Sequence, residues 1–242
     1  MEALWRVLGV AYAQLVVFRR QWMWIAQSYV VTLGMVFMLT FWGGMQALKH
    51  LVVALLVVSG WGIGLNIAAQ DIGWDRVSNE YERRVASPLT LPEYVLGMVL
   101  GSFLAFFTSD LPLIVVLAYI TGISLWGLFL VALLSVVGMF LGLFLSLSVV
   151  LRIRNPMNIS AVTNPLYTLT TTLPPVYYTP LMLPEPIRTA CAAIPTTALV
   201  ELGRVLTGQA SAYPVVLPAA SVAAWLIVTA LLTAFKMKWG LE

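Results

Sequence analysis

The run LWGLFLVALLSVVGMFLGLFLSLSVV, residues 125–150, carries no charged side chain and no proline. As a helix rising 1.5 Å per residue it reaches about 39 Å, more than the roughly 30 Å of hydrocarbon in a bilayer. It reads as a membrane span, and the composition of the whole chain follows suit. Of 242 residues, 61% are apolar and only 10% are charged. A soluble domain carries about 25% charged residues, so this chain cannot cover a water-facing globule. Mean hydropathy of +0.94 agrees. Disorder, nucleic-acid binding and an ordinary cytosolic enzyme are excluded on these grounds. The net charge of +3 is therefore no polyanion footprint, and what matters is where the basic residues sit.

Outward from that run, five more stretches approach the twenty apolar residues that a crossing needs. They lie at about 22–42, 51–70, 92–120, 158–178 and 215–235. With 125–150 they make six spans in a single transmembrane domain, 1–242, and the expected class is an all-α membrane protein. Arg6, Arg19, Arg20, Arg76, Arg83, Arg84, Arg152, Arg154, Lys236 and Lys238 fall on one side of this layout. Lys49, Arg188 and Arg204 fall on the other. The basic side is cytoplasmic by the positive-inside rule, which puts both termini there. Glu2 precedes the first apolar residues with no positive segment before them, unlike a cleaved signal peptide.

Residues 2–20 read as an interfacial helix. Leu4, Trp5, Leu8, Tyr12, Leu15 and Val16 share one side, and Glu2, Arg6, Gly9, Ala13 and Arg20 the other, expected to be wet. The loop DIGWDRVSNEYERRVASPLTLPEY, 71–94, gathers five acids and three arginines. Glu80 stands three and four residues before Arg83 and Arg84, which favours a short solvated helix. Pro88 ends that helix, and Thr90-Leu91-Pro92-Glu93 forms a capping box that opens the third span. On the opposite side, Thr121-Gly122 closes the third span. Pro186 and Pro195 each begin a short helix and Gly208 ends the second, giving re-entrant helices that dip into or lie on the outer leaflet.

Few constellations carry chemistry. Cys191 and His50 are the sole cysteine and histidine, which rules out an intrachain disulfide and a multi-His metal site. The dipeptide Gly-Lys does not occur, so there is no P-loop, and HExxH is missing too. The expectation is a chain that is no enzyme and binds no cofactor itself. Asp110, inside the third span and two residues before Pro112, is an intramembrane acid. Such an acid points to proton coupling or cargo contact, or else to a hydrogen bond that satisfies backbone loosened by the proline. Tyr167, Thr168, Thr170, Thr171 and Thr172 form a hydroxyl run in the fifth span. They line a polar pathway, or they repair backbone near Pro174-Pro175; both readings stand. Gly60-x-x-x-Gly64, Gly97-x-x-x-Gly101 and Gly138-x-x-x-Gly142 allow close helix contact within one subunit or between two. Trp22, Trp24, Trp42, Trp126 and Trp239 fit interfacial anchors, while Trp61 and Trp225 lie deeper.

Two segments resemble the type-2 ABC exporter permeases. One is Tyr81-Glu82-Arg83-Arg84-Val85-Ala86-Ser87-Pro88-Leu89-Thr90-Leu91-Pro92-Glu93-Tyr94-Val95-Leu96-Gly97, similar to the loop between their second and third spans. The other comprises Pro174-Pro175-Val176-Tyr177-Tyr178, Leu183-Pro184-Glu185-Pro186-Ile187-Arg188, Ile194-Pro195-Thr196-Thr197 and Glu201 with Arg204, similar to their outer re-entrant region. The resemblance implies a membrane subunit of the bacterial-type cytoplasmic membrane, paired with a copy of itself. It also implies a separate ATPase subunit that holds ATP and magnesium, and a lipid-like, glycolipid or drug cargo. Glu80, Glu82, Arg83 and Arg84 become the ATPase-coupling residues of a cytoplasmic coupling helix. Asn66, Tyr167, Thr168, Thr171 and Thr172 become pathway residues. Tyr177, Tyr178, Pro184, Glu185, Pro195, Glu201 and Arg204 become the outer re-entrant set. Family members often place Gly-Thr after the acidic-basic cluster where this chain has Arg84-Val85-Ala86, so the resemblance does not say which side chains couple. The rival expectation is a secondary transporter or channel that titrates Asp110.

Overall fold

A computed structural model describes residues 2–20, 22–75, 80–150, 153 and 158–236. Arg76, Arg152, Arg154, Lys238 and Trp239, and the side chains of Trp24 and Lys236, lie outside what is described. Every described element is helical: α1 (Glu2–Arg20), α2 (Trp22–Gly62), a π-helical segment (Ile63–Ala68), α3 (Ala69–Asp75), α4 (Glu80–Ala86), α5 (Leu91–Ser109) and α6 (Leu111–Thr121) lead into α7 (Leu125–Val150). After these come α8 (Ile159–Thr171), a 3-10 turn (Pro180–Met182), α9 (Glu185–Cys191), α10 (Pro195–Leu206) and α11 (Val216–Lys236). Among the described residues, three stretches are long and apolar enough to cross a membrane: Ile25–Asn66, Leu125–Val150 and Val216–Phe235. Phe37, Phe41, Tyr119 and Phe235 are all more than three-quarters exposed, as a lipid-facing surface requires.

Helix α2 bends back on itself. Gly44 breaks it with φ 60° and ψ −153°, a conformation that a Cβ would strain. Ser28, sixteen residues before that break, and Ser59, fifteen after it, both reach the Asp110 carboxylate. A straight helix would hold those serines about 46 Å apart. The 22–42 and 51–70 stretches are therefore the two arms of one folded helix, with the second arm running on through the π segment into α3.

The third stretch is not one helix. Pro112 has no N–H to give to the preceding turn and crowds it, so α5 stops at Ser109 and α6 starts at Leu111 with the proline in its first turn. The stretch at 158–178 is helical only over Ile159–Thr171, about 20 Å and short of a bilayer crossing. Leu173 is driven out of helical geometry by Pro174, and neither Pro174 nor Pro175 can donate. Helix α6 ends at Gly122 (φ 73°), as the Thr121-Gly122 pair suggests.

The glycine ridges are all consumed inside the chain. A Cβ on Gly60 would stand 2.3 Å from the Ser135 carbonyl oxygen, one on Gly64 1.9 Å from that of Met139, and one on Gly142 2.6 Å from that of Trp61. The ridge of α2 and the π segment thus lies backbone to backbone on the ridge of α7. Gly97 and Gly101 seat α1 instead, with Val10 and Gln14 on top of them. That seat sets which side of α1 packs on the body. Its packed side is Val10, Ala11 and Gln14, whereas Leu4, Trp5 and Tyr12 are more than half exposed. Helix α1 lies along α5 and brings Arg6, its side chain 30% exposed, onto Glu93.

Candidate functional site

On the expected cytoplasmic side, α4 forms where Glu80-Tyr81-Glu82-Arg83-Arg84 predicts it, and one half of the capping box forms. The Thr90 N–H donates to Glu93 Oε2 at 2.8 Å. Glu93 also takes a forked ion pair from Arg6, Nε to Oε2 at 3.0 Å and Nη2 to Oε1 at 2.6 Å. The start of α5 is therefore clamped to α1. The four candidate coupling residues separate. Arg83 pairs with Glu80 on its own helix at 2.9 Å, with its side chain 77% exposed. Glu82 is exposed as well. Arg84 turns inward to Asp75 at 3.1 Å, its guanidinium 5.0 Å above the Tyr94 ring. Tyr94 donates its phenol to Asp75 Oδ2 at 2.5 Å. Burial pushes the Asp75 carboxyl up, with Tyr94 and Arg84 pulling it back. Gln14 of α1 donates to Asp71, whose carboxyl burial pushes up to about 6 against that hydrogen bond.

Within the bundle, α8 leans on the second arm of α2 and its extension. Trp61 Nε1 donates to Thr170 Oγ1 at 3.0 Å, and Gln70 Nε2 donates to Thr163 Oγ1 at 2.6 Å. Tyr167 lies over Gly62, where a Cβ would sit 3.0 Å from its ring. The hydroxyl run divides. Thr168 and Thr171 both donate to carbonyls of their own helix. Thr171 faces inward, whereas Thr168 and Thr172 are exposed. Asn66, in the π segment, has a buried Oδ1 with no hydrogen-bond partner. Asp110 makes no side-chain cap on α6; it receives Ser28 Oγ at 2.5 Å and lies close to Ser59. The acid thus fastens the two arms of α2 to the α5–α6 break and does not repair loosened backbone.

The outer set centres on α10. Pro195 starts it, Thr207 and Gly208 end it, and nearly every residue between is buried. It meets α9 at 90°. The helix packs among α2, α7 and α11. Glu201 and Arg204 form an ion pair that is wholly buried. Arg204 Nη2 donates to the Val176 and Tyr178 carbonyls at 3.2 and 2.9 Å. Glu201 Oε2 accepts Ser211 Oγ at 2.7 Å and the Ala212 N–H at 2.6 Å. A buried pair relies on partners for its remaining lone pairs and protons; these four contacts supply most of them, while Arg204 Nε is buried without a hydrogen-bond partner. Tyr177 packs half-buried against the core. Pro184 caps α9, and Glu185 pairs with Arg188.

A family model described as ABC-2 family transporter protein matches residues 25–235. The chain belongs to that family. No curated relative matches it. Membership makes this a multi-pass membrane protein and the permease subunit of an ABC transporter, with ATP binding assigned to a partner subunit. Among the described residues of the permease, no three His, Cys, Asp or Glu side chains gather as metal ligands would. Sequence reasoning missed the cluster that Gln14 of α1 forms with Asp71, Asp75 and Tyr94. Gln14 alone had left a signal, as a polar residue among the apolar ones of α1.

Proposed function

We propose that this permease serves an ATP-driven exporter, works as a homodimer, and takes its drive from ATPase subunits that dock on α4. One observation carries the reading. Glu82 and Arg83 point out of α4 while Arg84 holds the same helix to the body, which is how a surface offered to a partner is built. ATP and magnesium would be held by that partner. The exposed Thr168 on α8 and Thr172 at its end, with Asn66 and Tyr167, suit a pathway lined between two copies. The expected cargo is lipid-like, glycolipid or drug, carried out of the cytoplasm with both termini inside.

The test is charge reversal on the outward pair, Glu82→Lys with Arg83→Glu. Neither side chain holds the fold together, so insertion and stability should be retained. Permease-stimulated ATP hydrolysis should fall roughly tenfold or more, the equivalent of about 1.4 kcal/mol of lost interaction. Full stimulation by the reversed variant would sink the assignment of α4.

A further inference from the structure

We propose that Arg84 is the positioning residue that turns docking on α4 into movement of the second arm of α2 and of α5. Arg83 and Arg84 are sequence neighbours with opposite surroundings. The first is exposed and paired on its own helix; the second has a side chain only 26% exposed and leaves its helix altogether. Arg84 Nη1 lies 3.1 Å from Asp75 Oδ2, and Nη2 donates to Asp75 Oδ1 at 3.3 Å. The same guanidinium covers the Tyr94 ring and brings Nη1 to 3.7 Å from Met98 Sδ. Asp75 closes α3, which continues from the π segment and the second arm of α2. Tyr94 and Met98 stand one turn apart at the start of α5. Tyr94 completes the triangle through its bond to Asp75.

Three elements therefore share one carboxylate and one guanidinium. Helix α4 has seven residues, too few to hold a helix or an orientation unaided. The planar fork of an arginine on a carboxylate is directional, unlike the point charge of a lysine, and stacking on the ring fixes it further. A push on Glu82 and Arg83 is then delivered at Asp75 and Tyr94 together and is not absorbed by rolling of the short helix. Arg84 touches neither cargo nor nucleotide in this scheme, so its role is positioning.

The inference rests on the docking reading of α4, and the two fail differently. Permease in nanodiscs is titrated into a fixed amount of its ATPase subunit, and hydrolysis is followed. Half-saturation reports docking and maximum rate reports coupling. Arg84→Gln and Asp75→Asn should each lower the maximum about tenfold while half-saturation stays within about twofold, and the double variant should fall no further because the pair acts as one unit. Arg84→Lys keeps the charge and loses the fork, so its maximum should be intermediate. Glu82→Lys with Arg83→Glu should raise half-saturation instead. If Arg84→Gln raises half-saturation, Arg84 is a docking contact and the proposal is overturned while the docking reading stands. An unchanged maximum also overturns it. Should the glutamine variant fail to insert, Arg84→Lys decides, and a wild-type maximum there overturns the proposal. Charge reversal without any effect removes the docking reading itself.

Discussion

Gly64→Ala places a methyl group where the backbone of α7 already runs. Its Cβ would stand 1.9 Å from the Met139 carbonyl oxygen and 2.8 Å from Leu143 N. Ordinary contact begins near 3.4 Å, so the π segment and α7 must part by about 1.5 Å in an interior packed as densely as a crystal. Both offending atoms are backbone, and no rotamer change relieves them. Overpacking a core costs roughly 1–3 kcal/mol, and the upper end applies because Gly60 and Gly142 lose their contacts with the same movement. Gly34→Ala is the control. It sits in an exposed stretch of α2 with nothing within 4 Å of the added carbon, and a helical Gly→Ala change there gains up to about 1 kcal/mol. Thermal unfolding of the two purified variants in one detergent should place Gly64→Ala well below wild type and Gly34→Ala at or above it. Equal midpoints for the two variants would refute the reading of the ridges as an intrachain seam.

Breaking the buried pair of α10 by Arg204→Met should destabilise the permease by about 3–5 kcal/mol, because Glu201 is left charged and unmatched. Glu201→Gln with Arg204→Met should cost less than the two single changes added together, as a double-mutant cycle of unfolding would register. Asp71 has a folded-state value near 6 against an ordinary 3.8. The folded chain therefore keeps a proton that the unfolded chain releases, and stability falls as pH rises from about 4 to about 6, then levels. Asp71→Asn should flatten that slope in unfolding midpoints taken across the window. Arg6→Ala removes the fork on Glu93 and should loosen α1 from the start of α5. Faster hydrogen exchange confined to α1 would be its signature.

Local signals were legible wherever the backbone itself enforces them. Thr90 and Glu93 cap α5, Pro186 and Pro195 open α9 and α10, and Gly122 and Gly208 close the helices before them. Each works through one missing or supplied donor or one φ angle, and neither needs a distant partner. Pro112 and Pro174 act the same way, and their effect is larger than a kink. A proline strong enough to loosen a span is strong enough to end the helix, and both stretches stop there.

Composition and local signals place this chain in lipid, mark where its short helices start and stop, and show which loop bears the charge. Only the tertiary structure decided which faces meet. In a soluble helix the apolar stripe names the buried side; in lipid both sides are apolar, and the pattern no longer separates them. That is why the ridges of α2 and α7 found each other, and why Gly97 and Gly101 took α1, with no periodicity to announce it. The same holds for the arginines of α4. Arg83 and Arg84 differ by one residue and about 100° of helix, and what divides an outward contact from an inward clamp is Asp75 and Tyr94, placed there by two other helices.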